Sequence, residues 1–374
     1  MSKRPRVLHI GKFYPPVRGG MEQVLESLCR ATRSRVDHDV LVFSGSRRTT
    51  REVVDGVNVT RLGSIAPARS TPIAPAMMRE LRASSADLVV IHEPNPWGLL
   101  SCAMVKPRQP LVVYFHSEVV RPSVQYALFY HPMVRAVYSR AERIVVASPP
   151  IAEHARALQP YRERIDVIPY GTDLTRWERT GVVEARVREI RAKHRGTPLV
   201  LFAGRFVRYK GCDVLLRALK DLDAAAVFAG DGPLRGELTA LARSLGLSGR
   251  VHFAGEVSAD ELVALYHAAD VFVLPSITRA EAFGFVQVEA MACGTPVIST
   301  RVDSGVGWVN QHGVTGLVVD PGNVGALRDA LASLLADPAA RERMGAAGRR
   351  RVAEEFTLAT MGARASTVFE QLVS

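Results

Sequence analysis

The run Arg279-Ala-Glu-Ala-Phe-Gly-Phe-Val-Gln-Val-Glu-Ala-Met-Ala-Cys-Gly-Thr-Pro296 decides how the chain reads. Two carboxylates, Glu281 and Glu289, bracket seven residues. The apolar run Asp270-Val-Phe-Val-Leu-Pro275 precedes them and Pro296-Val-Ile-Ser299 follows. The pattern predicts strand, loop, helix and strand, with Gly294 ending the helix. Glu281 then lies in the loop over the carboxyl end of a parallel strand, where open α/β sheets bind ligands. Glu289 is expected two turns into the helix, on nearly the same face. Taken alone, both also fit solvated surface acids.

Outward from that run, apolar segments of strand length recur along the chain. In the second half they are Leu199–Ala203, Ala225–Ala229, Val251–Ala254, Val271–Leu274, Val297–Ser299 and Leu317–Val319. Their spacing is that of βα units. The first half gives Val7–Ile10, Val40–Phe43, Leu88–His92, Leu111–Phe115, Ile144–Ala147 and Asp166–Ile168, with a helix over Glu22–Thr32. The expected fold is α/β, with two Rossmann-like doubly wound parallel-sheet domains. Residues 1–171 form the first domain, 172–196 a linker with a lead-in helix and 197–355 the second domain. A C-terminal helix over 356–374 completes the first, with Leu358, Met361, Ala365, Val368, Phe369 and Leu372 on one apolar stripe.

With 374 residues, 47% apolar and 23% charged, the chain suits two soluble globular domains. No apolar run is long enough to span a membrane, and the start is too short for a signal-peptide core, so cytoplasmic residence is expected. Cys29, Cys102, Cys212 and Cys293 lack metal-ligand or redox spacing and read as buried thiols. The net charge of +11 is uneven: residues 1–170 carry 24 Lys and Arg against 14 Asp and Glu, and the rest is nearly balanced. A basic first half fits an anionic substrate, an anionic membrane face or nucleic acid. No nucleic-acid module accompanies it, so nucleic acid is an unfavoured partner.

Three further motifs sit where strands end. Phe13-Tyr-Pro-Pro-Val-Arg-Gly-Gly-Met-Glu22 puts Gly19 and Gly20 before a helix, where backbone N–H groups suit a phosphate. Phe202-Ala-Gly-Arg-Phe-Val-Arg-Tyr-Lys-Gly211 places Arg205 and Lys210 at the carboxyl edge of the second sheet. Two cations there suit a diphosphate leaving group without a metal. Beside them one acid can meet a sugar and the other a ribose. Tyr114-Phe-His-Ser-Glu118 ends a first-half strand, so His116 is expected to point into the crevice and Glu118 toward an acceptor. Tyr14, His92 and Glu93 are secondary candidates.

Together these motifs resemble glycosyltransferase family 4, retaining enzymes of the GT-B fold, whose two domains face each other across a cleft. The match extends through Val167-Ile-Pro-Tyr-Gly-Thr-Asp173, Gly230-Asp-Gly-Pro233, Gly255-Glu-Val257 and Gly305-Val-Gly-Trp-Val-Asn310. The resemblance is nearest to bacterial mannosyltransferase-like members of O-antigen, exopolysaccharide and glycolipid assembly. It implies a nucleotide-sugar donor on the second domain, with GDP-mannose leading and UDP-sugars as rivals. Glu289 would bind the ribose, Arg205 and Lys210 the diphosphate with help from Phe285 and the Gly19–Gly20 loop, and backbone near Val257 the base. Glu281, Phe283 and Gly284 would grip the sugar, with His116 near its anomeric carbon and 6-position. The acceptor would be a glycan or polyprenyl-diphosphate-linked sugar on the first domain. Front-face chemistry and double displacement both remain open, with the front-face route favoured.

No cofactor or obligatory metal is expected. Asp37-His-Asp39 and Asp221-Leu-Asp223 read as polar strand entries. The aromatic and basic stretch Arg121–Arg143 fits either an internal helix or a peripheral contact with an anionic membrane on its cytoplasmic face. A silent sugar-nucleotide or glycan-binding scaffold is the non-enzymatic alternative. A GT-B epimerase or phosphorylase is the enzymatic one.

Overall fold

A computed structural model describes residues 4–17, 19–65, 72–118, 128, 130–194 and 196–373. The chain forms two compact units, Met1–Gly171 with Leu358–Ser374, and Thr172–Thr357.

The first unit runs β1 (Arg6–Ile10), α1 (Gly20–Thr32), β2 (Asp37–Phe43), β3 (Thr50–Val54), β4 (Val57–Leu62), α2 (Ala76–Ala83) and β5 (Leu88–Glu93). It continues α3 (Pro96–Val105), β6 (Leu111–Phe115), α4 (His131–Tyr138), β7 (Arg143–Val146), α5 (Pro149–His154) and β8 (Ile165–Val167). Among the described residues its strands lie in the order β3-β4-β2-β1-β5-β6-β7-β8, parallel except for the β3–β4 hairpin. Every residue of β5 and β6 is buried, as expected of parallel strands covered on both faces. The hairpin was absent from the sequence expectation. Its turn is Asp55-Gly56, both at positive φ (49° and 82°), the pair that lets a two-residue turn follow the strand twist.

The second unit runs α6 (Gly181–His194), β9 (Leu199–Ala203), α7 (Cys212–Leu219), β10 (Ala225–Ala229), α8 (Arg235–Ser244), β11 (Val251–Gly255) and α9 (Ala259–Ala268). It continues β12 (Val271–Leu274), α10 (Phe285–Ala292), β13 (Val297–Thr300), α11 (Val306–Val309), β14 (Gly316–Val319), α12 (Val324–Ala336) and α13 (Pro338–Glu355). The all-parallel order is β11-β10-β9-β12-β13-β14. The winding reverses between β9 and β12, so a crevice opens beyond their carboxyl ends. Beyond the second unit the chain returns to the first as α14 (Leu358–Val373), which buries Met361, Ala365, Val368 and Phe369.

The lead-in helix expected within 172–196 is α6, and the stretch packs in the second unit: Trp177, Val183, Val187 and Ile190 are buried, and α6 packs on α9. Phe356 stays with the second unit, edge-on to Phe283 and Trp308 at 5.8 and 5.5 Å between ring centroids. Much of the Arg121–Arg143 stretch, including Arg121, Tyr126 and Phe129, lies outside the described residues. The described part, α4, buries Val134, Val137 and Tyr138, as a core helix does. Among the described residues no helix is long and apolar enough to cross a membrane.

Candidate active site

In the second unit, Lys210 follows β9 and Glu281 follows β12, the two strands that flank the reversal. Their side chains meet as an ion pair, Lys210 Nζ to Glu281 Oε2 at 2.5 Å, each about 10% exposed. Ser276 Oγ donates to the same Oε2 at 3.1 Å, and Ser304 Oγ donates to the Glu281 carbonyl at 2.6 Å. The two loops are pressed together. A Cβ on Gly211 would sit 2.1 Å from the Pro275 carbonyl oxygen, and its φ of +65° suits glycine. Burial pushes the Lys210 ammonium down, but Glu281, Tyr209 and the direct hydrogen bond outweigh it, so its pKa is raised and it stays charged. Arg205 is exposed beside β9 and has no salt bridge among the described residues.

Glu289 sits one turn into α10, not two, because the helix begins at Phe285. It is buried, and Tyr266 Oη donates to its Oε2 at 2.8 Å. Gly284 caps α10, and Gln287 Nε2 donates to the Phe283 and Val306 carbonyls at 3.3 and 3.4 Å, fixing the loop that carries Phe283. The helix closes at Gly294 in a Schellman motif, Thr295 N to Ala290 O and Gly294 N to Met291 O. Val257 is half-buried beyond the edge strand β11. Asn310 is structural: its Nδ2 donates to Val297 O, Ser299 Oγ and Leu317 O, tying β13 to β14.

In the first unit, Gly19 caps α1 and Gly20 opens it. Gly20 leaves open space where a side chain would stand, and the Glu22 carboxylate lies against Gly19. Tyr14 does not face an acceptor. It is 2% exposed in the core with Leu25, Cys29, Val40 and Val42, because its ring fills the space under α1. Glu118 Oε1 accepts from the Arg156 backbone N–H at 3.2 Å. Glu93 is buried, accepting from Tyr130 Oη at 2.6 Å and Asn95 N at 3.0 Å, and burial pushes its carboxyl up to about 7.

His116, expected from the sequence to point into the crevice, is 4% exposed and both of its ring nitrogens have partners. Its Nε2 lies 3.0 Å from His92 Nδ1 and its Nδ1 lies 2.7 Å from Tyr170 Oη. His92 continues to His9, His9 to His38 and His38 to Thr32, at 3.1, 3.0 and 2.9 Å. Burial pushes the histidine pKa values down, that of His38 to about 4 and that of His116 to about 3, so all four are neutral at pH 7. His9, Cys29 and His38 are also the one close group of metal-type ligand atoms among the described residues. Both histidines already have hydrogen-bond partners, and burial raises the thiol pKa far above its usual range.

Sequence reasoning missed Tyr266, Ser276 and Ser304, which lie outside the motifs. It also missed His9 and His38. Their signal was present as a lone histidine in each of two adjacent strand patterns.

Comparison with known proteins fits this arrangement. The model for Glycosyltransferase Family 4 matches residues 18–176, and that for Glycosyl transferases group 1 matches residues 184–351. The chain is 35% identical to the D-rhamnosyltransferase WbpZ of Pseudomonas aeruginosa, covering 94% of this chain and 92% of the relative. It is 30% identical to O-antigen chain mannosyltransferase C of Escherichia coli, over 94% of each. It is 30% identical to a GDP-mannose-dependent alpha-(1-6)-phosphatidylinositol monomannoside mannosyltransferase of Mycolicibacterium smegmatis, over 96% of each. Among solved structures, Anabaena Alr3699/HepE in complex with UDP superposes with a TM-score of 0.79 at 22% identity, covering 98% of this chain and 100% of that one.

Proposed function

The chain belongs to glycosyltransferase family 4 and has the GT-B fold, and from that premise we propose that it transfers a hexose with retention from a GDP-sugar, GDP-mannose first, to a lipid-linked or saccharide acceptor. The donor reading is supported by relatives named as mannosyl- and rhamnosyltransferases, one of them GDP-mannose-dependent.

The observation that carries the reading is the buried Lys210–Glu281 pair at the winding reversal of the second sheet. A diphosphate beside Lys210 meets a preorganised charge, which Arg205 and the N–H groups opening α10 reinforce. Glu281 spends Oε2 on Lys210 and Ser276, and we assign Oε1 to a donor-sugar hydroxyl. We assign Glu289, held by Tyr266, to the ribose. In the front-face route the anomeric C–O bond breaks and its electron pair stays on the diphosphate oxygen. The acceptor hydroxyl bonds to the same carbon, and its proton passes to the departing phosphate. His116 is given no step in this scheme, because both of its ring nitrogens are spent on His92 and Tyr170. The scheme routes no step through a metal.

Thermal shift against GDP, UDP and ADP, with and without magnesium, tests the donor. Selective stabilisation by GDP without metal is expected. Selective stabilisation by UDP overturns the donor assignment, and wild-type sugar transfer by Lys210→Ala overturns the site.

A further inference from the structure

Three successive carbonyls in the loop that carries Glu281 are held from the same side. The Glu281 carbonyl accepts from Ser304 Oγ at 2.6 Å, and the Ala282 carbonyl accepts from Gly305 N at 2.7 Å. The Phe283 carbonyl accepts from Gln287 Nε2 at 3.3 Å, and the same nitrogen donates to the Val306 carbonyl at 3.4 Å. Each holding group thus belongs to residues 304–306, which lead into α11, or is bonded to them. In a trans peptide a carbonyl and the N–H that follows it point opposite ways. The N–H groups of Ala282, Phe283 and Gly284 are therefore turned away from residues 304–306. Those of Ala282 and Gly284 meet no acceptor among the described residues. Consecutive N–H groups facing one way make a concavity that suits a ligand oxygen.

Gln287 is an unfavourable choice for stability alone. It is fully buried, and its Oε1 has no hydrogen-bond partner among the described residues. Turning the amide over would set Oε1 against two carbonyl oxygens, so its orientation is fixed. Its two hydrogen bonds are long, and an unmet buried acceptor offsets what they contribute. A methionine would fill the same space with no unmet oxygen of its own. What the amide adds over such a side chain is direction. Gly284 is matched to it: its φ is +71°, and a Cβ there would lie 2.5 Å from Gln287 Nε2 and 2.7 Å from Leu274 Cδ2. Ser304, on the other side of the loop, is 4% exposed and gives its proton to the Glu281 carbonyl.

We infer that Gln287 and Ser304 are positioning residues for sugar transfer: they hold the loop carbonyls from behind and so point the N–H groups of Ala282 and Gly284 at oxygens of the donor sugar. The sugar part rests on the assignment of this loop to the donor above. The pointing part does not.

Gln287→Met separates placement from stability. It removes the orphaned Oε1 and takes one donor from the Phe283 carbonyl, while the Val306 carbonyl keeps Asn310 N at 3.2 Å. The urea midpoint should therefore stay close to that of the wild type. Transfer should fall between about tenfold and a hundredfold in kcat/KM for the sugar nucleotide. Calorimetry should show no change in affinity for the nucleoside diphosphate that stabilises the wild type, GDP by the reading above. Ser304→Ala should slow transfer in the same way, and Ser304→Thr, which keeps the hydroxyl, should restore it. This pair carries the test if Gln287→Met fails to fold. Residual dipolar couplings, which report bond direction, should change for the Ala282 and Gly284 N–H bonds in Gln287→Met while those of α10 hold. Wild-type transfer by folded Gln287→Met, or by Ser304→Ala, overturns the role in transfer. Unchanged couplings at Ala282 and Gly284 overturn the pointing. An equal loss of affinity for the nucleoside diphosphate would put these N–H groups on the diphosphate and overturn the sugar assignment. Absence of transfer by the wild type from any nucleotide sugar would instead remove the reading of the loop as a donor site, and the couplings would still decide the pointing.

Discussion

At the carboxyl edge of the second unit the buried polar groups are ions, Lys210 against Glu281 at 2.5 Å. In the first unit they are four imidazoles, neutral and linked from β2 to the end of β6. Both sets lie in doubly wound sheets, yet their electrical states are opposite. The difference follows from depth. Lys210 and Glu281 sit at a loop rim, where each neutralises the other and a ligand can replace water. The histidine line runs under α1 and across strand interiors, where an unpaired charge would cost far more than a satisfied neutral hydrogen bond. One unit buries opposed charges, and the other buries neutral hydrogen-bonded rings.

The sharpest way to break this contrast is Lys210→Ala. It should lower kcat/KM for transfer about 10²–10³-fold, the usual loss for one preorganised electrostatic donor. It should also destabilise the second unit by about 3–5 kcal/mol, because Glu281 is left buried without its partner. Lys210→Met combined with Glu281→Gln should regain most of that stability in urea unfolding and none of the activity. Recovery of activity would mean that the charges are structural only.

Acid tests the other side. The folded pKa values of His38 and His116 are lowered to about 4 and about 3, whereas unfolded histidine titrates near about 6.5. Below that pH the unfolded chain takes up protons that the folded one refuses. Stability is therefore complete above about 6.5 and falls as pH drops toward 4 and 3, by on the order of 3 kcal/mol per histidine. Glu93, raised to about 7 by burial, acts in the opposite sense and gains stability as pH falls through that value. Urea midpoints should drop between about pH 6.5 and 4.5, and Glu93→Gln should steepen the drop. A flat profile in Glu93→Gln would mean that the histidines take up protons as readily in the fold as in the unfolded chain.

Tyr266→Phe sharpens the comparison more gently. It removes a hydrogen bond to a buried carboxylate and should weaken nucleotide binding about tenfold by calorimetry, if Glu289 holds the ribose. The smallest effect is expected far from both sites. Gly56→Ala, at φ +82° in the β3–β4 turn, should cost about 1 kcal/mol and leave transfer unchanged.

Much of this was legible in the chain. Every strand of the second sheet was readable: the inner strands, buried on both faces, are unbroken apolar runs, and the less buried edge strands β11 and β14 are still mostly apolar. The Glu281 and Lys210 positions followed from strand ends and glycine punctuation. The β3–β4 hairpin escaped because its outer strand is mostly exposed and carries no apolar run, although Asp55-Gly56 was the turn signal. The helix within 172–196 was legible but its docking was not, because charged residues outnumber the few that dock, Trp177 and three aliphatics on α6. Tyr14 was misplaced because a loop sequence does not say which way a ring turns. The histidine line was hidden for a different reason: it is a property of register across strands, and spacing along the chain does not encode register.

The return of α14 has a consequence for how the molecule is made. Gly362 lies against the Ala31 carbonyl, where a Cβ would approach to 2.4 Å, and Phe369 lies 6.3 Å from the His9 ring. Those groups emerge from the ribosome after the entire second unit. The first unit cannot close until the second has been made, and until α14 arrives α1 shows an uncovered apolar flank.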